Sequence, residues 1–384
     1  MNDFKKLLIA QFLTAFADNA ILFTAITWVF ANADTQPWYV PALQASFLIA
    51  FVVLAPWVGA YADTHAKPKV MVSANLVKIV GAGLMIVSVE PLLAYAVVGI
   101  GAAMYSPAKY GILPELVDEQ ELVKANGWIE GATIIAILAG TIVGAKIANQ
   151  SLSIALWFVV GLYALSALIA TRIGPLEVIL LKKSGHVKAF VQMCKTLIEN
   201  RRARFALIGS ALFWASAALL RVALVVWAPI VLLIFDTDKI AELTAFIMLG
   251  IILGSVLAAK LFNLEDLRRA RFAAYAMGVF VIIFSQVDTM LSTRITLFLI
   301  GVAGGMFIVP INAVVQNIGH KTVGAGGTVA VQNFFNNLAM LAASIIYAVT
   351  AAWGAPPIET LVVLGVCIIL ATLVIARQLR QNQE

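Results

Sequence analysis

The chain has 384 residues, of which 62% are hydrophobic and only 12% charged, and its mean hydropathy is +0.97. Soluble globular domains carry about 25% charged residues, so a water-soluble domain is excluded and the chain reads as a polytopic membrane protein. Its formal net charge of +6 calls for no nucleic-acid partner, because a basic inner surface is expected beside anionic lipid.

A membrane span needs roughly 20 mainly apolar residues. Apolar runs bounded by charge, proline or glycine predict twelve spans, near residues 6–31, 39–62, 70–89, 92–112, 123–148, 152–172, 204–233, 241–262, 270–287, 294–315, 324–350 and 358–377. Backbone groups cannot go unpaired in hydrocarbon, and these runs exceed the roughly ten-residue alternating strands of a membrane barrel. The expected fold class is therefore an all-α polytopic membrane protein with twelve transmembrane helices. With the amino terminus inside, the inner loops gather Lys5, Lys6, Lys67, Lys69, Lys182, Lys183, Arg201, Arg202, Arg268, Arg269 and Arg377, whereas the outer loops hold little beyond Lys146, Lys239 and Arg294. That asymmetry predicts both termini on the cytoplasmic side. The first run lacks a small-residue cleavage site, so no cleavable signal is expected. Cys194 and Cys367 differ too much in predicted depth to pair as a disulfide.

The first span, AQFLTAFADNAILFTAIT from Ala10 to Thr27, carries Asp18 and Asn19 at its middle. A carboxylate there costs about 3 kcal/mol on insertion scales, so it reads as a functional group facing a cavity. The loop after the second span, GAYADTHAKPK, resembles motif A of the major facilitator superfamily through Gly59, Asp63, Lys67 and Lys69; Thr64 and Ala66 stand where that motif has a basic residue and a glycine. The resemblance implies a cytoplasmic gate, with Asp63 capping or bridging a neighbouring helix end.

Polar residues continue through the next spans: Asn75 and Lys78 in the third, Lys109 near the inner end of the fourth, and Lys124, Asn126 and Glu130 in the first turns of the fifth. For Lys78, Lys109 and Lys124 the plain alternative is snorkelling to the inner headgroups. Residues 173–203 form a basic interval that splits the spans six and six. It predicts a cytoplasmic linker between bundles 1–172 and 204–384. Its segment from Gly185 to Ile198 has Val187, Phe190, Val191, Cys194, Leu197 and Ile198 at helical spacing, with Lys188 and Lys195 on the other face, so an amphipathic helix on the inner leaflet is expected.

The halves repeat. GIGAAMYSPAKYG of the fourth span and GVAGGMFIVPIN of the tenth align with Pro107 on Pro310, an offset of 203 residues (310 − 107), which also sets Gly101 on Gly304 and Lys109 on Asn312. Applied to Asp18, the same offset gives Arg221. In a transporter built from parallel six-helix repeats, substrate sites lie near midplane between the repeats. Asp18 and Arg221 are therefore expected to line one cavity; the alternative is a structural ion pair. Asn312 and Gln316 in the tenth span and Gln332, Asn333, Asn336 and Asn337 in the eleventh add amides that serve either the cavity or helix association.

The three histidines, His65, His186 and His320, show no ligand spacing, and no GxxxxGK[ST] or HxxxxD sequence occurs. No metal, no cofactor, no ATP hydrolysis and no acyl transfer are expected. The chain is not read as an enzyme.

Five segments carry a closer resemblance: QFLTAFADNAILF, YSPAKYGILPEL, LVKANGWIE, LFWASAALLR and VGAGGTVAVQN. Together they resemble the bacterial lysophospholipid transporters of the major facilitator superfamily, over essentially the whole chain. The resemblance implies an inner-membrane flippase that moves lysophosphatidylethanolamine and lysophosphatidylglycerol to the cytoplasmic leaflet. There, an acyltransferase/acyl-carrier-protein synthetase reacylates them. Because the chain closes at Glu384 just after the last span, that enzyme is expected as a separate partner, and the transporter as a monomer.

Asp18, Lys109 and Arg221 suit such a head group: arginine and lysine for phosphate, aspartate for ammonium. Asn19, Asn312, Gln332, Asn333, Asn336, Glu130 and Lys124 complete the candidate set. Alternating access with sideways entry of the lipid is the expected mechanism. A proton-coupled exporter of a drug or polar metabolite, with Asp18 or Glu130 protonating, is the alternative within transport; a non-transporting scaffold or acyltransferase subunit is the alternative outside it.

Overall fold

The computed structural model describes residues 2–31, 36, 38–117, 122–174, 186–261, 267–323 and 325–380. Among them are fourteen helices and no strand: α1 (Asp3–Ala31), α2 (Tyr39–Thr64), α3 (Lys67–Ile86), α4 (Pro91–Gly111), α5 (Leu113–Leu116), α6 (Leu122–Gln150), α7 (Leu152–Ala170), α8 (His186–Glu199), α9 (Arg201–Val231), α10 (Thr237–Leu261), α11 (Leu267–Phe284), α12 (Met290–Thr322), α13 (Ala325–Ala352) and α14 (Pro357–Arg380). The four-residue α5 and the amphipathic α8 stand apart; the other twelve coincide with the expected spans to within a few residues at most ends. Eleven are long and apolar enough to cross a membrane, and the apolar part of α11, Ala270–Phe284, is shorter.

The helix ends follow local chemistry. Asn200 caps α9 by accepting from Ala203 N at 3.0 Å, and Thr289 caps α12 by accepting from Ser292 N at 3.2 Å. Each satisfies one of the four backbone donors that a helix start leaves unpaired. After α13 the chain turns at Gly354, whose φ of +80° lies in the left-handed region that glycine reaches without a Cβ clash.

The described chain divides into two compact units, Met1–Thr35 with Ser46–Lys188, and Gln36–Ala45 with Ala189–Glu384. In the first, α1 packs against α6, α7 and α4, while α3 packs against α4 and α7. In the second, α9 packs against α13, α14 and α12, while α11 packs against α12 and α14. These five pairings correspond between the units, as the sequence repeat leads one to expect.

Backbones meet closely where glycines fall. A Cβ at Gly140 of α6 would lie 2.3 Å from the Phe16 carbonyl oxygen of α1, and one at Gly144 only 2.4 Å from Ala20 Cα. The same device joins α10 to α12, where a Cβ at Gly254 would sit 2.1 Å from the Val302 carbonyl. In lipid, water expulsion does not drive helices together, so this close van der Waals fit is a main source of association.

Candidate functional site

Asp18 lies midway along α1 and meets two side chains of its own unit. The Lys78 ammonium of α3 is 2.8 Å from Asp18 Oδ2, and the Tyr163 hydroxyl of α7 donates to Asp18 Oδ1 at 2.8 Å. The Lys78 side chain is 1% exposed and that of Asp18 19%. Lys78 therefore does not snorkel to the headgroups; its charge is neutralised inside the bundle.

The lysine's remaining capacity is also used. Its Nζ donates to Thr14 Oγ1 at 2.9 Å and sits 5.0 Å from the Tyr105 ring centroid and 5.5 Å from that of Tyr163. Both rings are within the range of cation–π attraction. The Thr14 hydroxyl donates to Asn75 Oδ1 at 2.8 Å, Asn75 donates to Ser166 Oγ at 3.0 Å, and Ser166 donates to the Ala10 carbonyl at 2.8 Å. One polar chain thus ties α1, α3 and α7 together.

Why these residues meet follows from helical spacing. Thr14 and Asp18 are four apart on α1, Asn75 and Lys78 three apart on α3, and Tyr163 and Ser166 three apart on α7, so each helix turns a two-residue polar patch to the same seam. An ion pair in so apolar a setting needs further hydrogen bonds to hold, and here Tyr163 donates to the carboxylate while the ammonium also donates to Thr14.

The second unit carries a neutral amide network of its own. Gln332 Nε2 of α13 donates to Asn312 Oδ1 of α12 at 2.7 Å and to Ser210 Oγ of α9 at 3.1 Å. Asn336, one turn on, is buried. Asn337 Nδ2 donates to the Asn333 carbonyl at 2.7 Å, and Asn19 Nδ2 likewise donates to the Ala15 carbonyl at 2.8 Å, each a bond within its own helix. Lys109 is buried in α4, and Arg221 lies partly buried in α9.

Of the motif residues, Lys67 pairs with Glu115, joining the first turn of α3 to α5, and Lys69 is exposed. Gly59 and Asp63 belong to the last turns of α2, and Lys124 and Glu130 to the start of α6; the surroundings of their side chains lie outside the described residues. Residues 175–185 of the linker also lie outside them. Within the linker, α8 docks Phe190 edge-on against Phe334 of α13 at 5.4 Å between ring centroids and buries Leu197 completely, while Asn200 already caps α9.

Sequence reasoning singled out Asp18, Lys109, Arg221, Asn312 and Gln332 but passed over Tyr163, Thr14 and Ser166. The one-turn spacing of polar residues on α1, α3 and α7 was the available signal.

A match to the family described as Major Facilitator Superfamily spans residues 7–344. The chain is 40% identical over 361 residues to a curated protein of Photorhabdus laumondii named lysophospholipid transporter LplT, covering 93% of this chain and 90% of the relative. It is 41% identical over 372 residues to the Escherichia coli (strain SE11) protein of the same name, covering 96% and 93%. Among solved structures, the nucleoside transporter NupG is similar over 99% of this chain and 100% of its own, with a TM-score of 0.76 at 14% identity. An auto inhibited POT family peptide transporter gives 0.67 at 12% identity, over 100% of this chain and 97% of its own. At such identities these structures speak to the fold alone.

Proposed function

The chain belongs to the Major Facilitator Superfamily, and we propose that it transports lysophospholipids. It is a multi-pass membrane transporter and not an enzyme. The single observation that carries the substrate is the identity of about 40% to curated lysophospholipid transporters over more than 90% of this chain.

We propose lysophosphatidylethanolamine and lysophosphatidylglycerol as the substrates, moved to the cytoplasmic leaflet of the bacterial inner membrane, with both termini cytoplasmic. The positive-inside distribution of Lys and Arg supports that orientation. On this reading the lipids are then reacylated by an acyltransferase/acyl-carrier-protein synthetase, and the transporter acts as a monomer by alternating access. The acyl chain enters sideways from lipid, because only the head group needs polar partners.

Arg221 and Lys109 are proposed to bind the phosphate: a guanidinium offers two parallel N–H donors to phosphate oxygens, and an ammonium adds a point charge. The sequence repeat supports the grouping, since it aligns Arg221 with Asp18. The amides of Asn19, Asn312, Gln332, Asn333 and Asn336 are proposed to line the head-group path, together with Lys124 and Glu130. Gly59, Asp63, Lys67 and Lys69 are proposed to form the cytoplasmic gate.

Uptake of labelled lysophospholipid into proteoliposomes tests the proposal. Wild-type protein should move the lipid, and Arg221→Ala and Asp18→Ala should lose most of that flux per inserted molecule. Undiminished flux in both variants would overturn the site. Movement of a water-soluble solute driven by a pH gradient, with no lysophospholipid flux, would instead favour the proton-coupled exporter.

A further inference from the structure

We propose that Lys78 is a positioning residue that sets head-group selectivity: by holding the Asp18 carboxylate from within the same helical unit, it removes any need for an ammonium on the substrate. This rests on the reading of the chain as a lysophospholipid transporter.

A transport site with a bare carboxylate would demand a cation from its ligand. Asp18 is not bare. Its Oδ2 accepts from Lys78 Nζ at 2.8 Å and its Oδ1 from Tyr163 Oη at 2.8 Å. The ammonium in turn has Thr14 Oγ1 at 2.9 Å and aromatic faces on Tyr105 and Tyr163. A substrate ammonium could take Asp18 only by expelling Lys78, which would strand a buried lysine charge between the rings of Tyr105 and Tyr163.

The pair is therefore electrically closed before any lipid arrives. What it offers a head group is the remaining acceptor capacity of the half-used carboxylate oxygens. A hydroxyl can use that capacity as well as an ammonium. The selected charge is then phosphate, common to zwitterionic and anionic head groups, while the part beyond it is held by hydrogen bonding alone.

The experiment compares flux of lysophosphatidylethanolamine and lysophosphatidylglycerol, matched in acyl chain, through proteoliposomes bearing wild-type protein, Lys78→Met, Lys78→Arg and the neutral double variant Asp18→Asn with Lys78→Gln. Wild type should carry both lipids at comparable rates. Lys78→Met exposes an uncompensated carboxylate and should shift the ratio toward the ethanolamine lipid by about fivefold, the size of one charge contact of water-like strength. Lys78→Arg should keep the wild-type ratio. The double variant, which stays informative if Lys78→Met inserts poorly, should carry the glycerol lipid in the wild-type proportion. Equal loss of both lipids in Lys78→Met, or selective loss of the glycerol lipid in the double variant, would overturn the proposal. Wild-type protein that carries neither lipid would instead overturn the transport reading beneath it.

Discussion

Lys78 of α3 and Asp18 of α1 form a 2.8 Å ion pair inside one helical unit, with the lysine side chain 1% exposed. Their sequence separation of 60 residues spans the whole of α2 with parts of α1 and α3, and the pair is the centre of the polar chain that joins α1, α3 and α7. Removing one partner of such a pair costs about 3–5 kcal/mol, because the survivor is left charged and unpaired. Lys78→Met and Asp18→Asn should each destabilise the purified protein, and the double variant by less than their sum. Thermal unfolding in detergent measures this through a double-mutant cycle; strict additivity would contradict the pairing.

Tyr163→Phe removes only the hydroxyl that reaches Asp18 Oδ1 and leaves the ring beside Lys78. A hydrogen bond to a charged group contributes roughly 1.5–3 kcal/mol, so the loss should fall in that range and vanish in an Asp18→Asn background. The same unfolding assay decides it.

Close packing of α1 on α6 makes a sharper structural prediction. Gly144→Leu puts a Cβ where Ala20 Cα would be 2.4 Å away, so the helices must separate and folded yield should collapse. Gly161→Ala, on α7 with nothing within 4 Å of its would-be Cβ, serves as the control and should express normally. Size-exclusion profiles of the two variants give the comparison.

The Lys67–Glu115 pair joins the start of α3 to α5 next to the motif that links α2 and α3. Lys67→Glu should lower transport, and Lys67→Glu with Glu115→Lys should recover part of it. Recovery tests pairing, since a purely local role for Lys67 gives none.

Cys194 sits half-buried on α8, and burial pushes its thiol above the ordinary range. A raised value means less thiolate at neutral pH, so maleimide labelling in a Cys367→Ser background should be slower than for a free thiol at pH 7.5 and keep rising with pH beyond the point where a free thiol levels off. Phe190→Ala, which undocks α8 from Phe334, should speed the reaction several-fold toward that of a free thiol.

Much of this protein was legible in its residues. In hydrocarbon every backbone donor and acceptor must be paired within the helix, so the length and apolarity of each run determine the spans almost without reference to one another. The twelve long helices and the presence of Asp18 inside a span follow from that constraint, and the helical spacing of apolar residues marks the amphipathic α8. The amides Asn312 and Gln332 were likewise visible as polar residues in apolar runs, though not as partners.

Which polar groups meet was decided by the tertiary structure. The repeat linked Asp18 to Arg221 of the other half, and Lys78 read equally well as a snorkelling side chain; within its own unit the carboxylate's bond runs to Lys78. Pairing depends on the rotation and depth of α3 against α1, which a hydropathy pattern leaves free because any face of a uniformly apolar helix can be buried. Tyr163 was invisible for a related reason: its ring suits lipid or core equally, and only the approach of α7 to α1 turns its hydroxyl toward Asp18.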